Sequence, residues 1–254
     1  SVHTPIQPKP EYKSYFENRD PDRGHRNPGY AAMVRSMDES LGRVRDALRD
    51  LKLEDNTVVI FTSDNGGHGG VTSNRPLRGS KGMLYEGGIR VPFVAYWPGQ
   101  FGGARIESTP IIGVDLLPTI LNLAGGKPDK KQVVDGESII PLLKQKRHSL
   151  ETRPIYWHFP AYLERYRGLP EPGPFRTTPA SAVRISRWKL LRFYESGREE
   201  LYDLNIDLSE ANDVSTKYPD IVKQLSNKLD AWLRETEAYL PTKQNPKYGG
   251  VNRD

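Results

Sequence analysis

"TVVIFTSDNGGHGG", residues Thr57 to Gly70, opens as a β-branched apolar run and closes on a carboxylate, an amide, a histidine and four glycines. The apolar half follows the polar loop "KLEDN" and reads as a short buried strand. Upstream, Pro28 to Leu51 carries Tyr30, Met33, Val34, Met37, Leu41, Val44, Leu48 and Leu51 at helical spacing, with Asn27 as cap and Pro28 in the first turn. Downstream, "VPFVAYW" (Val91 to Trp97) is a second buried-strand run, and Leu116 to Ala124 reads as a helix stopped by Gly125-Gly126. Helix and buried strand in alternation predict an α/β fold, a sheet sandwiched by helices, over residues 1–150.

From about Arg153 the texture changes. "RPIYWHF" reads as a strand, and Pro160 to Pro179, rich in proline and glycine, as a long surface loop. "SAVRISRWKLLRFYESGREELYDL" alternates like an antiparallel hairpin with "ESGRE" at its turn. Pro219 to Leu240 is an amphipathic helix with Ile221, Leu225, Leu229, Trp232 and Leu233 on one side, and the polar tail after Pro241 reads as loose. Residues 151–254 are therefore expected to form a smaller α+β subdomain.

The 254 residues suffice for a sizeable core. A mean hydropathy of −0.67 is polar, yet 13 Tyr and 4 Trp argue against disorder. The net charge of +5 is scattered, without the basic run or aromatic-interleaved patch of a nucleic-acid binder. With no cysteine, disulfides, thiolate zinc sites and a Cys nucleophile are excluded from these residues. No stretch approaches the length of a membrane-spanning helix.

Asp64 and Asn65 stand where the first strand ends, the place where α/β sheets collect ligands. A carboxylate and an amide carbonyl suit Ca²⁺ or Mg²⁺, but a plain Asp-Asn-Gly turn explains them too. Gly66, Gly67, Gly69 and Gly70 would let the backbone bend and approach a ligand. In "NRPLRGSKGMLYEGGIRVPFVAYWPG", Arg75, Arg78 and Lys81 lie among glycines, as binding a small oxyanion requires; a basic surface loop is the alternative, and the better account of Arg75. His68 could reach a leaving group or be a loop histidine. His158, in "YWHFP", could contact substrate or be packed and hydrogen-bonded. Tyr156, Trp157, Phe159, Tyr162 and Tyr166 could form a sugar-stacking wall, although aromatic core packing explains the first three just as well.

Together, "YAAMVRSMDESLGRV", "DNTVVIFTSDNGGHGG", "LRGSKGMLYEGGIRVPFVAYWPG", "DLLPTILNLAG" and "DGESIIPLL" resemble the type I sulfatases, the formylglycine-dependent, calcium-binding members of the alkaline-phosphatase-like superfamily. The resemblance implies that Asp64 and Asn65 are calcium ligands and that Lys81 grips the sulfate. It implies further that His3, in "VHTP", contacts the sulfate and helps protonate the leaving group, with Arg78, His68 and His158 as substrate-binding candidates. An amide at Asn65 favours calcium and sulfate esters over the histidine of phosphate- and phosphonate-cleaving relatives, which remain the alternative together with a purely binding role. The Cys-or-Ser-x-Pro-x-Arg motif that yields formylglycine is not found here. The chain is accordingly expected to correspond to the C-terminal portion of a sulfatase, to partner an N-terminal half bearing the nucleophile and the rest of the calcium shell, and to be inactive alone. The substrate expected is a sulfated small molecule or carbohydrate, and the resemblance implies a periplasmic or secreted location.

Overall fold

The computed structural model describes residues 2–22, 24–101, 103–129, 131–144, 150–166, 174–243 and 245–248. In chain order the elements are α1 (Pro10–Glu17), α2 (Pro28–Asp50), β1 (Val59–Thr62), α3 (Glu86–Ile89), β2 (Phe93–Tyr96), α4 (Leu116–Leu123), α5 (Ile140–Leu143), β3 (Ile155–Phe159), β4 (Leu163–Glu164), β5 (Phe175–Thr177), β6 (Ala180–Ile185), β7 (Trp188–Phe193), β8 (Glu199–Asp203) and α6 (Pro219–Glu235). The chain divides into two compact units that interleave along the sequence: one is built from Ser1–Glu39, Asn65–Val91 and Tyr156–Asp254, the other from Ser40–Asp64 and Pro92–Ile155. Helix α2 begins as expected, with the Asn27 side-chain oxygen accepting from the Tyr30 amide at 3.0 Å.

In the first unit the strand order is β3-β6-β7-β8. Alternation along the strands sorts their side chains onto two faces. Val183, Leu190 and Leu201 pack with Leu225, Leu229 and Leu233 of α6. Ala182, Leu191, Tyr202 and Leu204 form the opposite cluster, against Leu84, Tyr85, Trp157 and Phe193. The expected hairpin is a three-stranded meander, because β6 and β7 pair antiparallel through Ile185 and Trp188 across a turn at Ser186-Arg187. That turn has no glycine or asparagine to signal it; Ser186 itself takes a left-handed φ of 52°. The expected loop 160–179 contains a short ribbon, β4 paired antiparallel with β5; its residues 167–173 lie outside the described residues.

In the second unit β1 and β2 pair antiparallel, Val59 opposite Tyr96 and Thr62 opposite Phe93. They are half-covered rather than buried, with Val94 55% exposed. A two-stranded ribbon gives each strand one neighbour and leaves an outer edge open. The unit's interior is organised by buried Asp115, whose carboxylate accepts from the amides of Ile112 (2.8 Å) and Glu137 (2.9 Å) and from both terminal nitrogens of Arg153. The hydroxyl of Thr119 joins in, donating to the Asp115 carbonyl and accepting from the Ile139 amide. Around this polar knot, Ile139, Leu142 and Leu150 pack with Phe93, Ile111 and Leu143.

Candidate active site

The glycine-rich segment after β1 is packed against the backbone of the 87–88 turn at Gly66, and that contact explains the glycine there. The Gly66 amide donates to the Gly88 carbonyl at 2.9 Å. A Cβ on Gly66 would lie 1.9 Å from the Gly87 carbonyl oxygen, and one on Gly88 would lie 2.0 Å from that of Met83. Close backbone packing, rather than room for a ligand, is what demands glycine at these two positions. Asn74 ties the same turn, accepting from the Gly67 amide and donating to the Gly67 and Gly79 carbonyls. The Lys81 amide closes it by donating to the Gly67 carbonyl at 3.0 Å.

This frame brings Lys81 to His3, a residue 78 positions away, with Nζ and the His3 Nε2 3.1 Å apart. An ammonium can only donate, so His3 Nε2 accepts; the other ring nitrogen lies 2.7 Å from the Thr4 carbonyl, which can only accept. These partners assign His3 as the neutral tautomer with its proton on Nδ1. In this arrangement the Nε2 of His3 holds no proton to give, and the proton between the two residues belongs to Lys81.

His68 sits beside the pair. Its Nδ1 accepts from the Gly70 amide at 3.2 Å, leaving Nε2 as the donor of the neutral ring. Burial pushes the imidazole below its ordinary pKa, and the neighbouring cations Arg176 and Lys81 push the same way. The ring packs on Tyr166 with centroids 4.3 Å apart. The hydroxyl of Tyr166, a buried residue, lies 3.1 Å from the Ser80 hydroxyl and 3.3 Å from the Lys81 carbonyl. Ser80, Tyr166 and Arg176 belong to this cluster without any spacing in the sequence that marks them, since β5 carries Arg176 and the segment just after β4 carries Tyr166 in from a proline-rich stretch.

Other expected residues are placed differently. Arg78 stacks over the Tyr85 ring at 4.0 Å and donates to the Tyr202 hydroxyl (2.9 Å) and the Glu210 carbonyl (3.0 Å). It thereby fastens the Lys81 loop to the β7–β8 side of the sheet. His158 is engaged at both nitrogens: Nε2 donates to the Tyr239 carbonyl and Nδ1 pairs with the Ser181 hydroxyl, each at 2.7 Å. Tyr156 stacks on Trp232 and Trp157 belongs to the apolar face described above, so both serve packing. Tyr162 tilts against Phe175.

The same loop is anchored below Lys81 by buried charge. Lys189 Nζ lies 2.9 Å from Glu86 and 2.8 Å from Glu210, all three residues being fully or almost fully buried. Burial alone would raise the Glu86 carboxyl, but Lys189, Arg184 and Arg90 hold it below the ordinary range. For Glu210 burial wins and the carboxyl is pushed up, even though the Glu86 amide donates to it at 2.6 Å.

Asp64 is exposed and Asn65 half-buried. The Asn65 amide nitrogen donates to the Gly66 carbonyl at 3.1 Å, and the side-chain atom of a kind to ligate a hard cation is its oxygen. Hard oxygen donors fit Ca²⁺ in kind. They fall short in number, since calcium takes about six to eight. Among the described residues no group of three or more His, Asp or Glu gathers to complete a shell.

Residues 1–126 match the family model described as Sulfatase, and residues 80–235 match that of N-sulphoglucosamine sulphohydrolase, C-terminal. The chain belongs to the sulfatase family. It is 33% identical to a sulfatase of Formosa agariphila over 94% of this chain and 45% of that protein. It is 28% identical to arylsulfatase J of Mus musculus over 97% of this chain and 46% of the relative. The crystal structure of Ps i-CgsB in complex with k-i-k-neocarrahexaose superposes with a TM-score of 0.76 at 30% identity, covering 91% of this chain and 48% of that one. The fold is thus that of the alkaline-phosphatase-like sulfatases, and the matched region is their C-terminal portion. The chain spans about half the length of these relatives. Among the described residues no helix is long and apolar enough to cross a membrane.

Proposed function

We propose that this chain supplies the leaving-group side of a sulfuric ester hydrolase acting on sulfated carbohydrates or aryl sulfates. The observation that carries the proposal is the contact between Lys81 and His3, two residues far apart in sequence that the glycine frame brings within 3.1 Å. The neocarrahexaose bound to the structural neighbour supports a carbohydrate substrate.

In this mechanism Lys81 binds the sulfate oxygen that bridges to the leaving alcohol and offsets its developing charge. Because His3 is neutral and accepts from Lys81, the departing oxygen takes its proton from the Lys81 ammonium, and His3 Nε2 holds the lysine in line. Neutral His68 presents an Nε2–H donor on the same wall. Asp64 and Asn65 would hold part of a calcium shell. The bound ion would supply electrostatic stabilisation of the sulfate oxygens. The formylglycine nucleophile and the remaining ligands are assigned to an N-terminal half of the complete protein.

The test is turnover by the complete protein of paired aryl sulfate and aryl phosphate substrates. Sulfate hydrolysis should dominate; preferential phosphate hydrolysis would overturn the proposal in favour of a phosphoesterase. Asp64→Ala should lose bound calcium together with turnover, measured by metal analysis of the purified variant. Unchanged calcium content would reduce the Asp64-Asn65 pair to a turn.

A further inference from the structure

Arg176 is a cation with no carboxylate partner among the described residues, placed beside a lysine in the same position. Its guanidinium lies over the Tyr166 ring at 4.3 Å, on a tyrosine that also contacts His68. One terminal nitrogen donates to the Glu164 carbonyl, across the β4–β5 ribbon. Its Nε is buried and has no hydrogen-bond partner among the described residues. The other terminal nitrogen lies 3.7 Å from where a Cβ of Gly82 would stand, so it flanks the residue next to Lys81. The ribbon is tied to that turn, because the Thr177 hydroxyl donates to the Gly82 carbonyl at 3.0 Å.

Two fixed positive charges therefore share one wall with His3 and His68, and only one is needed to grip a sulfate. A stacked, hydrogen-bonded guanidinium is already oriented, so it loses little freedom when it pairs with an oxyanion. We infer that Arg176 selects substrates carrying a second oxyanion, a further sulfate or a carboxylate, on the sugar whose sulfate ester Lys81 grips or on the sugar linked to it. The inference rests on the sulfatase function proposed above and narrows its substrate class to polyanionic carbohydrates.

The test uses the complete protein, calorimetric binding and turnover. The singly charged probe is N-acetylglucosamine-6-sulfate. A second sulfate is supplied by glucosamine-N,6-disulfate and a carboxylate by the glucuronate-linked disaccharide of the first sugar. Wild type should prefer one or both dianionic probes by about tenfold, the scale of one charge-assisted hydrogen-bonded contact. Whichever is preferred identifies the second group. Arg176→Ala should abolish the preference ratio, and Arg176→Lys, which keeps charge but not the planar fork, should retain part of it. A wild-type protein indifferent to the second charge, or a ratio that survives in Arg176→Ala, would overturn the inference. If Arg176→Ala does not fold, the wild-type ratio and its partial retention in Arg176→Lys decide. Turnover of sulfate esters without any preference for the dianions would sink this inference alone, whereas no binding or turnover of any sulfate ester would sink the sulfatase proposal with it.

Discussion

Lys81 stands in a loop whose neighbours are glycines, so its side chain contributes charge rather than packing. Removing one such transition-state stabiliser typically costs about a hundred- to a thousandfold in rate. Lys81→Ala in the complete protein should lower kcat by that order with little change in thermal stability. Arg75, exposed on the same stretch, controls for loss of nearby positive charge, and Arg75→Ala should do far less. Equal losses in the two variants would remove Lys81 from the chemistry. His68 supplies a pH signature of its own. Its folded pKa is depressed by burial and then by Arg176 and Lys81, so the neutral ring's contribution to stability is full above the ordinary histidine value of about 6.5. That contribution is lost as pH falls from there toward the folded value. Imidazole resonances followed by NMR should show a midpoint below the ordinary value, and Lys81→Ala should move it upward. A midpoint at or above the ordinary value would put the ring in water.

At the scale of elements, the Lys81 loop is held by side chains that the sequence shows as ordinary strand residues. Lys189 in "RWKLLRF" sits where alternation places a side chain on one face, and nothing local reveals that Glu86 and Glu210 meet it there. Removing one partner of a buried charge cluster leaves an uncompensated charge and typically costs about 3–5 kcal/mol. Lys189→Met should therefore lose stability of that order by denaturant unfolding, and adding Glu86→Gln should recover part of it. A neutral outcome for the single variant would mean that water reaches the cluster. The Glu86 contribution to stability is full above the ordinary carboxylate range and fades as pH falls through its depressed folded pKa, while that of Glu210 runs in the opposite sense. Periodicity was enough to find α2, α4, α6 and the strands β1, β2 and β3. It did not separate β6 from β7, because the turn between them lacks turn chemistry, and it did not find β4 and β5, whose two and three residues are too short to show a period. The Lys81–His3 contact could be anticipated from the family resemblance of two motifs. The addition of Arg176 could not, because it depends on a ribbon folding back over 80 residues from the loop; Tyr166 is legible in the sequence only as one of several aromatic candidates for stacking on a sugar.

For the molecule as a whole, the second unit carries apolar side chains that its own core does not cover. Val94, Leu117 and Ile120 are 55%, 43% and 51% exposed, and Val44 and Leu51 of the α2 region are more than half exposed as well. Such surface is consistent with a docking face for the proposed N-terminal half. The chain by itself should bind a hydrophobic dye and self-associate, and should show no aryl sulfatase activity above background. A dye-silent monomer by light scattering would count against the docking face, and turnover by the chain alone would count against the assignment of the nucleophile elsewhere.

The interleaving of the two units has a consequence for synthesis on the ribosome. The second unit is complete once Ile155 has emerged from the exit tunnel, but the first draws on Ser1–Glu39, Asn65–Val91 and Tyr156–Asp254. His3 and Lys81 precede the strand that carries Lys189 and the segment that carries Glu210, which come more than a hundred residues after Lys81. The wall that would bind sulfate therefore waits unassembled until the strand carrying Lys189 and the segment carrying Glu210 have been translated.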